Sequence, residues 1–259
     1  MIREVEQPRR AFVEQVMGLP VSVHVRGPAA RDRQVAGAVE SLFADLQAAD
    51  RRFSTWDPRS EVSRIRAGEL RLLEAHPEVQ LVAELCDDAA RRTGGSFSAW
   101  LPDAEGEPAF DPTGLVKGWA VERAFDQLLA RLAGLGRYDA LVSAGGDVVV
   151  ACTRTDTPDW QIGIQDPRDP AAVLLTLPLR RGAVATSGTA ARGQHIIDPT
   201  TGRPAAGLLS ATLIGASLTW ADVYATAAFV RGPDATAWVW TLTDHAAVLV
   251  DPSGSVWHS

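Results

Sequence analysis

Between Ala140 and Gly215 five strand patterns follow one another without a helical period between them: Ala140 to Ala151, Trp160 to Gln165, Val173 to Leu179, Ala183 to Thr186 and Leu209 to Gly215. Together with the apolar–polar alternation from Ala11 to Arg26 through VSVHV, with a hairpin turn at Gly18 to Pro20, this run predicts a mainly antiparallel sheet. Helical spacing occupies Arg31 to Arg52, Pro77 to Arg92 (Val79, Val82, Leu85, Ala89) and Pro112 to Leu132. It returns at Ala221 to Val230 and Pro233 to Leu242, before a last strand at Ala246 to Val250, and Asp57 to Gly68 reads as a short helix opened by Asp-Pro. Thr93 to Phe110, punctuated by Gly and Pro, reads as a loop. No repeat or low-complexity linker divides the chain, so the reading is one α+β unit over residues 1–259 with helices packed on its sheet.

A net charge of −7 and a pI near 5.3 over 259 residues give no general attraction to nucleic acid or anionic lipid, so a phosphate-bearing ligand needs a local site. The opening MIREVEQPRR is charged, and no apolar stretch of about 18 residues follows, which predicts a cytoplasmic protein without a membrane segment. Cys86 and Cys152 lie far apart without metal-ligand spacing and read as small buried hydrophobes. Of 25 basic residues only Lys117 is a lysine, a pattern expected if an ammonium is needed there.

Four segments carry candidate chemistry. In FDPTGLVKGWAVERA a loop becomes a helix at Asp111 to Gly118, where backbone N–H groups and Lys117 suit a phosphate, although Asp before Pro is also an ordinary helix start. LVSAGGDVVVA sets two glycines and an aspartate in an apolar run, a place for close ligand approach or a plain hairpin turn. In VATSGTAARGQHIIDPTTGRP, Ser187 and Gly188 break a strand, and His195, before a short strand ending at Asp198-Pro199, suits work on a proton or a phosphate oxygen. His24, His76, His245 and His258 read as structural. In WADVYATAAFV, Asp222 and Thr226 share a helix face at i and i+4, which is hard-oxygen chemistry suited to Mg²⁺, or else a capping Asp and a packed Thr.

In this order the pieces Met17-Gly18, FSTWDPRSEVSRI, TGGSF, DPTGLVKG, SAGGD, ATSGT, HIIDPTTG and ADVYATA resemble the ApbE family of FAD:protein FMN transferases over roughly residues 17 to 231. The resemblance implies a T-fold-related α+β fold with FAD across its middle. It implies flavin nucleotide contacts from Met17, Trp56, Ser96, Phe97, Ser98, Asp111, Lys117 and Ile197. It implies Mg²⁺ held by the Gly114 carbonyl, Asp222 and Thr226, with the Ala225 backbone as a further ligand, and His195 beside the phosphates. Catalysis would then rest on His195, Asp222 and Lys117. The chain departs from the family pattern at Ser98, where many relatives have Asp, at Ser143, where many have Asn, and at Gln194, where some have a second histidine. Many relatives are exported lipoproteins, so a chain without a leader would meet its acceptor in the cytoplasm.

The activity implied is transfer of FMN from FAD to a Thr or Ser hydroxyl of an acceptor flavoprotein, with AMP leaving. The competing readings are an FAD pyrophosphatase, with water in place of the hydroxyl, and a carrier that binds FAD without cleaving it.

Overall fold

The architecture comes from a computed structural model that describes residues 8–102, 106–189, 193 and 195–259. In chain order the elements are β1 (Arg9–Val16), β2 (Leu19–Arg26), α1 (Arg33–Phe53), α2 (Glu61–Arg66), α3 (Pro77–Arg92), β3 (Trp100–Pro102), β4 (Pro108–Phe110) and α4 (Thr113–Ala133). They continue as β5 (Asp139–Ala144), β6 (Asp147–Ala151), β7 (Trp160–Asp166), β8 (Asp169–Leu179), β9 (Arg181–Gly188), β10 (Ile197–Asp198), β11 (Arg203–Pro204), β12 (Ser210–Gly215), α5 (Leu218–Arg231), α6 (Ala235–Val239), β13 (Ala246–Val250) and β14 (Val256–His258). The order β1-β2-β5-β6-β9-β12-β13-β14 forms one eight-stranded sheet in which every pairing is antiparallel. The expected α+β class with a mainly antiparallel sheet is what the structure has.

Strand alternation sorts the sheet's two faces. Val21, Val23, Val25, Val142, Val149, Leu213 and Leu249 point into the main core with α1, α4 and α5, while Leu141, Val148, Val150, Val184 and Ile214 point the other way. That second face is covered by the β7–β8 ribbon through Ile162, Trp160 and Leu179. On the helix side the central strands carry alanines, Ala140, Ala144, Ala183, Ala185 and Ala211, all fully buried, so helices lie close to the backbone. Helix α5 is apolar nearly all round, from Leu218 through Phe229, as suits a helix buried between sheet and α4. Helix α1 carries its buried residues at Val35, Val39, Leu42, Leu46, Ala49 and Phe53 along one stripe, and Asp32 caps it by accepting from the Gln34 N–H at 2.8 Å.

Several expectations are corrected. The first hairpin turns at Met17-Gly18 rather than Gly18 to Pro20, because both residues take positive φ, 57° and 70°, the geometry of a two-residue hairpin turn. The SAGGD glycines follow one of their two readings and make a hairpin turn between β5 and β6, at φ 60° and 102°. Ser187 and Gly188 continue β9 instead of breaking it, since β12 offers them Ala211 and Ser210 as partners. Asp222 does not cap α5; Ser217 does, one turn earlier. The helix expected over Pro233 to Leu242 is only Ala235–Val239 behind a 3-10 turn at Gly232–Asp234, and the Thr93 to Phe110 loop contains the β3–β4 pair. Cys86 is buried, but Cys152 is only half-buried, its Sγ 3.2 Å from an Arg26 nitrogen. Among the described residues no helix is long and apolar enough to cross a membrane.

Candidate functional site

The Met17-Gly18 and Gly145-Gly146 turns lie side by side, the Gly145 N–H donating to Pro20 O at 3.2 Å. At this end of the sheet a cavity of about 710 Å³ opens between the start of α4, the middle of α5, the Gly145-Gly146 turn, the end of β9 and strand β7 of the β7–β8 ribbon. Its wall contains Met17, Trp56, Ser96, Phe97, Ser98, Asp111, Gly114, Lys117, His195, Ile197, Asp222 and Thr226. Residues chosen from segments more than 200 positions apart are thus brought to one place. Ala225 is the exception: it is fully buried in the main core and does not line the cavity. Ser143 sits in β5 and is also absent from the wall, and Gln194 lies outside the described residues.

Each wall residue is held by local chemistry. Asp50 on α1 accepts the Met17 N–H at 3.2 Å, tying the strained turn to the helix. Ser54 Oγ accepts from Trp56 and Asp57 N–H groups at 3.2 and 3.0 Å, which presents the Trp56 ring at 93% exposure. Thr93 Oγ1 accepts the Phe97 N–H at 3.1 Å and fixes the buried Phe97 ring, against which Gly114 packs so closely that a Cβ would stand 3.1 Å from it. Asp111 accepts from the Thr113 N–H at 3.1 Å and its hydroxyl at 2.6 Å, and reaches Arg66 at 3.5 Å. It therefore performs the cap although Pro112 occupies the cap position.

The floor is a buried charge cluster. Lys117 is ion-paired to Asp147 and lies 3.4 Å from Asp222 Oδ1, with both carboxylates nearly inaccessible and the lysine side chain a quarter exposed. Asp147 Oδ1 also accepts the Thr186 N–H at 2.9 Å. Burial works against the ammonium, but Asp222 and Asp147 outweigh it and hold Lys117 above the usual lysine range. Burial pushes Asp222 up from the carboxylate range; Lys117 opposes that and Asp147 adds to it. Asp222 Oδ2 is buried with no hydrogen-bond partner, an arrangement that costs about 1–3 kcal/mol when nothing else meets it. One turn along α5, Thr226 Oγ1 lies 3.1 Å from Ser187 Oγ.

His195 is exposed at the rim, its Nδ1 3.0 Å from the Gly193 carbonyl. A carbonyl only accepts, so Nδ1 carries hydrogen and, in the neutral ring, Nε2 is the free acceptor. Asp147 was inside a motif the sequence singled out, yet its role there came only from the fold. The signal was present: it is the one charge in the apolar Ala140 to Ala151 run. Thr186 and Ser187 join the wall with no individual signature, whereas Asp147 does not line it and bears on it through Lys117.

Fold and motif positions together define an α+β flavin-transferase architecture. The sequence profile of the ApbE family matches residues 17–103 and 98–250, and the chain belongs to that family. Its sequence is similar to the FAD:protein FMN transferase of Vibrio cholerae, 33% identical over 151 residues, 54% of this chain and 43% of the relative. It is similar to that of Rhodobacter capsulatus at 34% over 125 residues, 45% of this chain and 24% of the relative. The matched stretches therefore span under half the length of these relatives. In structure it is similar to the ApbE protein of Thermotoga maritima, with a TM-score of 0.82 and 24% identity over 97% of both chains. The flavin transferase ApbE from Vibrio cholerae follows at a TM-score of 0.79 and 20% identity, covering 98% of this chain and 97% of the other. At these identities the structural likeness speaks for the fold.

Proposed function

We propose that this chain is a Mg²⁺-dependent FAD:protein FMN transferase that moves FMN from FAD to a Thr or Ser hydroxyl of an acceptor flavoprotein and releases AMP. The observation that carries the reading is the Lys117–Asp147–Asp222 cluster at the floor of the large cleft, with one buried carboxylate oxygen of Asp222 left unpartnered. Among the described residues no three His, Cys, Asp or Glu side chains converge. A cation would therefore be held by Asp222, the Thr226 hydroxyl and the Gly114 carbonyl, with substrate oxygens and water completing an all-oxygen shell of the kind Mg²⁺ prefers. When bound, it would offset charge on the pyrophosphate. Ala225 is left out of this shell.

Met17, Trp56, Ser96, Phe97, Ser98, Asp111 and Ile197 would hold the flavin nucleotide, the aromatic rings offering stacking surface. In the reaction the acceptor oxygen bonds to the FMN phosphorus, the P–O bond to the AMP half breaks, and AMP leaves with the electron pair. Lys117 would stabilise negative charge on the phosphoryl oxygens, fixed in place by Asp147. The hydroxyl proton can pass to His195 Nε2, the ring nitrogen left free by the Gly193 carbonyl. The compartment we propose is the cytoplasm.

Incubating the protein with FAD, MgCl₂ and a flavin-accepting protein should add the mass of FMN less water to one Thr or Ser of the acceptor and release AMP. Rapid AMP formation without an acceptor, with no protein labelled, would replace the transferase by a pyrophosphatase. Tight FAD binding with no AMP in either case would leave a carrier.

A further inference from the structure

Helix α5, which carries Asp222 and Thr226, begins on a side chain from another helix. The Glu122 carboxylate of α4 accepts the Leu218 N–H at 3.2 Å, the Thr219 N–H at 3.0 Å and the Ser217 hydroxyl at 2.9 Å, and it also accepts the Thr219 hydroxyl. The local cap Ser217 is left with one amide, that of Trp220 at 3.3 Å. An ordinary N-cap lies next to its helix in sequence; this one is 95 to 97 residues away. A carboxylate against the positive end of a helix also gains from the dipole, and here it is half-buried, where such interactions are strongest.

The position of that clamp relates it to the site. Glu122 stands little more than one helical turn after Lys117 and Gly118, and Thr219 little less than one turn before Asp222. About one turn from this clamp along α4, Gly118 lies so near α5 that a Cβ would stand 3.1 Å from the Leu218 carbonyl and 3.2 Å from Asp222. Two helices in close contact, tied by four hydrogen bonds at one end, leave Asp222 little freedom to slide past Lys117. We infer that Glu122 is a positioning residue for the Asp222–Thr226 pair, setting where the start of α5 sits on α4 and thereby the cation affinity of the site. This rests on the Mg²⁺ reading above. Glu122 itself does not line the cavity, so it acts through the position of α5.

The test separates positioning from general helix stability. Glu122→Gln keeps the shape but loses the charge and one acceptor, turning an NH₂ toward groups that are themselves donors. Ser217→Ala removes the local cap while leaving the carboxylate on the Leu218 and Thr219 amides. MgCl₂ is titrated into each protein holding saturating FAD, read both by the rise in melting temperature and by AMP release. Both variants should melt lower, but only Glu122→Gln should raise the half-saturating Mg²⁺ concentration, by about tenfold or more as for other supports of metal ligands, with KM for FAD within about twofold. An unchanged Mg²⁺ midpoint in Glu122→Gln, or an equal shift in Ser217→Ala, overturns the inference while the Mg²⁺ reading stands. A wild-type protein whose melting and AMP release ignore Mg²⁺ removes both together.

Discussion

A Cβ placed on Gly118 would lie 3.2 Å from both Cβ and Oδ2 of Asp222, so α4 passes the buried carboxylate with no side chain between. Gly118→Ala should gain up to about 1 kcal/mol of helix propensity but lose roughly 1–3 kcal/mol to overpacking against the Leu218 carbonyl. Melting temperature is expected to fall modestly. AMP release should fall at least about tenfold, because Asp222 is displaced from its working geometry. Thermal melts and steady-state rates on the same preparation check this, and an undiminished rate would mean the close approach has no functional weight.

Asp222→Asn removes a charge that burial disfavours while retaining the shape, and Lys117 keeps Asp147 as its partner. The ligand-free variant should be as stable as the parent or more so. AMP release should drop by at least about a hundredfold, as when one electrostatic contributor is lost, and added MgCl₂ should no longer raise the melting temperature. Full activity in this variant or in excess EDTA would sink the cation site.

Lys117 tests differently in two directions. Lys117→Arg keeps the charge but substitutes a planar fork too large for a pocket closed by two carboxylates, so turnover should fall at least about tenfold with folding retained. Lys117→Met strands both carboxylates and should cost roughly 3 kcal/mol of unfolding free energy, toward the low end for a broken buried pair because the ammonium is partly exposed. Denaturant titration measures it; a loss under about 1 kcal/mol would mean that the pair is screened.

His245 supplies a pH dependence. Its ring packs edge-on against Tyr224 at 4.9 Å and fills the space above Gly215, and burial holds its pKa below the ordinary imidazole value, against an opposing pull from Asp244. The folded protein thus takes up a proton less readily than the unfolded chain. Stability from this residue is present above about pH 6.5, the ordinary imidazole value, and is lost as pH falls below it. Melting temperatures between pH 7.5 and 5.5 should decline less steeply in His245→Gln than in the parent. Parallel slopes would assign the acid sensitivity elsewhere, beginning with His24, which burial also holds low.

Helix α3 and strand β13 have the bounds their periodicity predicts, because Pro77 opens one and apolar runs delimit both. Errors arose where distant pairing decides: β9 continues through Ser187 and Gly188 only because β12 lies beside it, and the first turn is set by a left-handed Met17 that no residue preference announces. Motif order led to the wall of the cleft, since each motif holds its own loop or helix start. Spacing could not show that Asp147 pairs with Lys117 or that Glu122 reaches the start of α5.

The single lysine has a practical corollary. A protease specific for lysine can cut this chain at one bond only, Lys117–Gly118, and that bond lies inside α4 where it presses on α5. Cleavage then requires α4 to open at the cleft floor, so the rate of appearance of two fragments reads the local opening free energy of the site itself.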